Sequence, residues 1–277
     1  LTEAEGDFDK AMEIIRKKGQ AVAAKRSERE ASEGCVLAKT TGDRAVIVAL
    51  KCETDFVAQN ADFVKLTQDI LDLAVANKCK TLDEVKSLPM GNGTVQDAVT
   101  DRSGITGEKM ELDGYMTVEG VSTAVYNHMN RNGLCTIVAF NKEVNEQLAK
   151  QVAMQIAAMS PAYLDEASVP AEVVEHEKTI LAAQMKEDPK MASKPEAVLA
   201  KIAAGKMGKY YKENCLVDQE FVRSDLFQGD VKGYVASVAK ELGTEIKLNG
   251  FIRMMKGDGL EKREENFAEE IAKQING

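Results

Sequence analysis

Hydrophobic and polar positions follow a recurring order along this chain. Gly34 to Thr40 and Ala45 to Lys51 are short runs of β-forming residues separated by a turn at Gly42 and Asp43, and they read as a hairpin. From about Ala61 to Ala76 the period becomes helical: Phe63, Leu66, Ile70, Leu73 and Ala74 share one face, and Asn60 is placed to cap it. The same order then returns. Gly120 to Tyr126 and Leu134 to Phe140 are β-like runs joined through NHMNRNG, and Val144 to Met159 is helical, with Leu148, Val152 and Ile156 in a stripe.

The ends of the two units match more closely. VQDAVTDRSGITGEKMELDGYM, from Val95, aligns without a gap with VKGYVASVAKELGTEIKLNGFI, from Val231, at a spacing of 136 positions. Val95/Val231, Val99/Val235, Gly107/Gly243, Leu112/Leu248 and Gly114/Gly250 are identical, while Tyr115/Phe251 and Met116/Ile252 are similar. The expected fold class is therefore α+β: a duplicated core of two three-stranded antiparallel sheet subdomains covered by helices, with an inserted antiparallel helical hairpin. Subdomain 1 spans 34–119, and subdomain 2 spans 120–170 and 212–258. The insertion, 171–211, carries helical stretches at Ala171 to Met185 and Glu196 to Tyr211, broken by Pro189 and Pro195 of KEDPKMASKP. Val174, Ile180 and Leu181 are expected to zip onto Leu199, Ile202, Ala203 and Met207 as a coiled coil.

Two flanking segments complete the division. Residues 1–33 read as the end of a truncated helical domain plus a linker: Phe8, Ala11, Met12 and Ile15 form a stripe before Gly19, and Ala21 to Glu33 turns to Ala, Lys, Arg, Glu and Ser. Residues 259–277 contain a charged amphipathic stretch, Glu264 to Lys273, with Phe267 and Ile271 on its apolar side.

Composition narrows the function. A formal charge of -9 disfavours diffuse attraction to nucleic acid or anionic membranes, and the lysines between Lys201 and Lys212 read as a solvated helix face. No apolar run approaches the ~20 residues that span a bilayer, so a cytoplasmic location is expected. Five scattered cysteines without a CxxC pair suit buried thiols. With two histidines, His128 and His176, both read as exposed polar residues, a metal site is not expected. There is no GxxxxGK[ST] and no GxSxG, so neither stable nucleotide binding nor a cofactor nor covalent chemistry is anticipated.

One segment stands apart. VIVAL at Val46 matches TIVAF at Thr136 at a spacing of 90, but the following helices align at a spacing near 83, so the first unit carries about seven extra residues, TDFVAQN. Thr54 is placed to cap a helix and Asp55 to sit in its first turn, followed by Phe56 and Val57. Phe56 either packs on its own unit or is held out for another protein, and the pattern leaves both readings open. Gly133 would let a partner approach the second hairpin or merely shape its turn, and Met154, next to Gln155 in QVAMQIAAM, would offer a pliable contact or fill the core.

LTEAEGDFDKAMEIIRKKG, TDFVAQNADF, VAMQIAAMSPAYL, FIRM and the tandem arrangement together resemble the bacterial elongation factor Ts family, guanine nucleotide exchange factors for elongation factor Tu. The resemblance spans nearly the whole chain. It implies that residues 1–18 are the last helix of a small domain that binds the partner's nucleotide-binding domain, that the two subdomains face different partner domains, that the hairpin projects, and that the terminal helix adds a contact. It further implies that Phe56 wedges near the partner's magnesium and phosphate site with Asp55 anchoring it. Many relatives carry HIAMHIAA where this chain has QVAMQIAA, so Gln151 and Gln155 stand in place of histidines, and no titrating group carries over. Thr54, Asp55, Phe56, Val57, Gly133, Met154 and Gln155 are the expected partner-binding residues. A homodimer through the hairpin is a further expected association. The alternative reading is a protein-binding or assembly factor that does not promote exchange.

Overall fold

The computed structural model describes residues 3–26, 28–188, 190 and 194–258. The elements run α1 (Phe8–Lys25), β1 (Glu33–Thr40), β2 (Arg44–Cys52), α2 (Asp55–Ala58), α3 (Ala61–Ala76), α4 (Leu82–Ser87), β3 (Pro89–Met90), β4 (Gly93–Thr94), α5 (Val95–Thr106) and β5 (Glu111–Glu119). They continue as β6 (Ser122–Asn127), β7 (Leu134–Phe140), α6 (Glu146–Met159), α7 (Ala171–Glu187), α8 (Glu196–Asn214), α9 (Val231–Glu241) and β8 (Leu248–Met255). Two three-stranded antiparallel sheets result, in the orders β1-β2-β5 and β6-β7-β8, with a small β3-β4 ribbon beside the first. The amphipathic stretch Glu264 to Lys273 lies outside the described residues.

The two middle strands explain the layering. RAVIVALKC and LCTIVAF are buried along nearly their whole length, so each has a second apolar face besides the one expected to lie under helices. Val46, Val48 and Leu50 face Phe63, Ile70 and Leu71 of α3 and Val95 and Val99 of α5. Val138 and Phe140 face Leu148, Val152 and Ile156 of α6 and Val231 and Val235 of α9. The alternate residues, Ala45, Ile47 and Ala49 from one sheet and Cys135, Ile137 and Met254 from the other, form a third core between the sheets. Helices therefore lie outside and the sheets stack inside.

Both sheets bulge at the same register. Ala49 pairs with Gly114 and Leu50 with Leu112, while Ala139 pairs with Gly250 and Phe140 with Leu248. Gly114 is demanded by the stacking, because a Cβ there would lie 2.6 Å from Ala49 Cβ and 2.8 Å from Met254 Sδ. Gly250 has no atom within 4 Å of such a position, and nothing in its surroundings requires a glycine.

Gly19 does not end the first helix. α1 runs through it to Lys25 because Gly19 crosses Gly104 of α5 at backbone contact, where a Cβ on Gly104 would lie 2.4 Å from Gly19 Cα. Arg16 adds an ion pair to Asp101 at 3.8 Å. The hairpin helices α7 and α8 pack chiefly on each other, enclosing a groove of about 530 Å³ lined by Leu181, Met185, Leu199, Ala203 and Met207. Each begins directly after a proline, Pro170 or Pro195.

Gly104→Ala should gain no helix-propensity benefit, which is about 1 kcal/mol at an open site, and should instead loosen α1, seen as faster amide exchange over Phe8–Lys25. Gly205→Ala and Gly208→Ala in α8, with open space around both, should stabilise the hairpin by roughly 0.5–1 kcal/mol in denaturant unfolding. The five cysteines are free and buried, and burial pushes Cys35 and Cys215 up to about 11 and Cys52 and Cys135 up to about 12. A thiol reagent at pH 8 should therefore label the native protein far more slowly than the denatured chain.

Candidate functional site

At the end of β2 the chain leaves the first sheet and makes a single helical turn, α2. Thr54 is extended (φ -123, ψ 153) and its side chain accepts from the Val57 N–H at 3.4 Å, so the cap expected at this residue is present. One turn cannot bury all its side chains. Ala58 points into the core and Val57 packs against it, which sends Asp55 and Phe56 outward. Phe56 is 84% exposed, the largest exposure among the large hydrophobic side chains described. Of the two readings open to it, the structure has the outward one.

The turn is braced from two sides. Oε2 of Glu108 accepts from the backbone N–H groups of Glu53 and Thr54, both at 3.1 Å, and its Oε1 accepts from Thr54 Oγ1 at 2.6 Å. In the opposite sense, Glu53 Oε1 accepts from the Lys109 N–H at 2.6 Å, and its Oε2 accepts from Arg29 Nη1 at 3.2 Å. Arg26 Nη1 lies 3.7 Å from Glu53 Oε1. Burial opposes the charge of Glu53, but the Lys109 N–H and the two guanidinium groups outweigh it and hold the carboxyl below the usual carboxylate range. Beyond the turn, Arg102 Nη2 donates to Asn60 Oδ1 at 2.9 Å and pairs with Asp62 Oδ2 at 3.0 Å, fixing the start of α3.

These bracing residues were not singled out from sequence. The two aligned 22-residue stretches contain the signal: Glu108 corresponds to Thr244 and Arg102 to Val238, so the carboxylate and the guanidinium occur only in the stretch that belongs with TDFVAQN.

Gly133 reaches the same face through the stacked sheets. Val36 of β1 donates its N–H to Asn132 O at 2.6 Å, and Lys256 donates its N–H to Gly133 O at 2.8 Å. A groove of about 770 Å³ lies between, with Asp55, Ala58 and Gln59 on one wall and the 128–134 loop on the other. Met129 at its rim is 63% exposed and holds φ 55. A Cβ at Gly133 would meet only the aliphatic part of Lys256, at 3.6 Å or more, so this glycine is not forced by crowding.

Met154 and Gln155 part company. Met154 is half-buried and lines a neighbouring hollow of about 880 Å³ that shares Met129 and Asn130 with the first. Gln155 is completely buried, which corrects its expected place at a contact surface. Its amide donates to Glu220 O at 3.1 Å and its carbonyl accepts from the Val222 N–H at 2.9 Å, so its hydrogen-bonding capacity ties α6 to the segment before α9. Gln151 is also buried, with Oε1 unpartnered.

Among the described residues no cluster of three or more His, Cys, Asp or Glu is arranged to hold a metal, and no helix is long and apolar enough to cross a membrane. The site thus consists of an apolar ring on a braced turn beside a groove, a geometry for engaging a protein surface.

Comparison with known proteins agrees. A family profile described as "Elongation factor TS" matches residues 53–258, opening one residue before TDFV and closing just after β8. Elongation factor Ts of Bacteroides thetaiotaomicron is 61% identical over 91% of this chain and 91% of that protein. That of Bacteroides fragilis is 54% identical over the same shares, and that of Porphyromonas gingivalis 51% over 80% of each. The chain, with its two-sheet α+β architecture and exposed turn, belongs to the elongation factor Ts family, guanine nucleotide exchange factors for elongation factor Tu that perform no covalent chemistry.

Proposed function

We propose that this chain accelerates GDP release from elongation factor Tu by seating Phe56 in the partner's nucleotide-binding domain and disturbing its magnesium and phosphate site. The observation that carries this reading is the 84% exposure of Phe56 on a turn whose neighbours fix it. Asp55 anchors the contact, Thr54 and Val57 shape the turn, and Gly133 and Met154 extend the partner face across the groove.

Magnitudes bound the wedge. Burying a phenylalanine stabilises by about 1.5–3 kcal/mol, a gain that becomes available only on association. Magnesium and the β-phosphate neutralise each other in a fixed geometry, so displacing side chains near them weakens nucleotide binding. The coupling is reciprocal: what the factor subtracts from nucleotide affinity, bound nucleotide subtracts from the factor's affinity. GDP leaves, and GTP, when abundant, rebinds and releases the factor.

The same reading takes the two sheet units as copies of one unit, at 34–119 and at 120–170 with 212–258. It is supported by the common strand order, the common bulge and the aligned stretches from Val95 and Val231. The hairpin, 171–211, is a separate module, and its apolar groove suits a second copy of the hairpin in a homodimer. The place of action is the cytoplasm.

Release of a fluorescent GDP from elongation factor Tu tests the wedge. Phe56→Ala should reduce the acceleration by about 10- to 150-fold, the range that corresponds to the burial energy, and Asp55→Ala should reduce it less. Equal acceleration by wild type and Phe56→Ala would exclude the ring as the wedge.

A further inference from the structure

The crossed carboxylates beneath α2 do more than close a loop. Glu108 takes three donors from two consecutive residues, Glu53 N–H, Thr54 N–H and Thr54 Oγ1, immediately before Asp55 and Phe56. Glu108 is itself aimed by the end of α5. Gly107 is left-handed (φ 73) and caps the helix onto Ser103, whose Oγ donates to Glu108 O. Glu53 answers by accepting from Lys109 N–H, so each carboxylate holds the backbone beside the other.

A second connection enters at Glu53. Arg26 and Arg29 lie just beyond the end of α1, and both address the Glu53 carboxylate. Arg26 also lies over the α5–β5 turn, with Nη2 3.7 Å from where a Cβ of Gly107 would be. The seat of α1 is set independently by the Gly19–Gly104 crossing and by Arg16 with Asp101. A continuous set of contacts thus runs from α1 through Glu53 and Glu108 to the base of the Phe56 turn.

We propose that Glu53 and Glu108 are positioning residues for nucleotide exchange, holding the Phe56 turn in one orientation and linking that orientation to the seat of α1. The proposal rests on the wedge reading above. An apolar ring on an unbraced turn would sample many orientations, and ordering it on association would consume part of its burial energy. With the clasp closed, the backbone part of that ordering is already in place before the partner arrives.

The chain contains no tryptophan, so Phe56→Trp introduces a lone fluorescent reporter at the tip. In this background the time-resolved anisotropy should show slow tumbling with only a small fast component from rotation of the exposed ring, whereas adding Glu108→Ala should enlarge the fast component. In Phe56-containing full-length protein, Glu108→Ala should lower the saturating rate of fluorescent GDP release about tenfold, consistent with misplacement of a contact group, while the half-saturating concentration moves less. Glu108→Gln should restore most of the rate, since its carbonyl can accept both backbone N–H groups and its amide can donate to Thr54 Oγ1. Arg26→Ala with Arg29→Ala should give a smaller loss, and no further loss on top of Glu108→Ala.

The outcomes separate the two claims. If Phe56→Ala leaves exchange unchanged, the wedge reading fails. If Phe56→Ala lowers the acceleration but Glu108→Ala, folded by circular dichroism, keeps the wild-type maximal rate and leaves the reporter's anisotropy decay unchanged, the positioning claim is overturned. Fully additive losses from the arginine pair and Glu108 would overturn the link to α1.

Discussion

Everything distinctive about this molecule depends on how closely its two sheets stack. β2 and β7 each bury both faces, and the layer between them is built from small or slender side chains: Ala45, Ala49, Cys135 and Ile137, with Met254 laid against Gly114. Interiors packed this tightly tolerate little displacement. The consequence reaches the surface, because Val36 of β1 can then donate directly to Asn132 in the β6–β7 loop. Asp55, in the turn after β2, and Gly133, in the β6–β7 loop, adjoin different sheets, yet they line one groove that the stacking brings together.

On that platform, the exposed ring is a local conflict with folding that the surroundings resolve. Leaving Phe56 out forfeits about 1.5–3 kcal/mol of burial. Hydrogen bonds to a charged acceptor each contribute about 1.5–3 kcal/mol, and Glu108 receives three of them at the base of the same turn. The turn is therefore kept by polar contacts that do not need the ring, and the ring stays available. An apolar anchor under α2 would do the opposite, since any pocket able to hold the turn by burial would compete for Phe56 itself.

Much of this was legible in the residues. The helix from Ala61 to Ala76, capped by Asn60, was found with the bounds read from its period, since Phe63, Ile70 and Ala74 all face one core. The hairpins came from short runs of β-forming residues, and the closing strand of each sheet from the aligned stretches. Three things were not legible, each for a physical reason. Gly19 looks like a helix end, but its contact with Gly104 is a tertiary one that no local pattern reveals. An unbroken run such as VIVAL shows that both faces are buried without showing what covers the second. Gln155 is polar, and only the fold reveals that its amide meets Glu220 O and Val222 N–H inside. The ring at position 56 could be recognised as out of place, but not the carboxylate that holds it, which lies 52 residues further along the chain.

The places where the two aligned stretches differ say more about function than those where they agree. Identities such as Val95/Val231 and Leu112/Leu248 serve cores and bulges that both sheets need. At three differing positions, Arg102/Val238, Gly104/Lys240 and Glu108/Thr244, the first unit has residues that respectively fix the start of α3, admit α1 at backbone contact and hold the Phe56 turn. A lysine at the position of Gly104 would fill the space where α1 crosses. In the second unit Lys240 instead borders an open hollow of about 820 Å³ along α9. The two sheets thus carry different outer faces, and only the face with glycine at position 104 and a carboxylate at position 108 seats α1 and the Phe56 turn together.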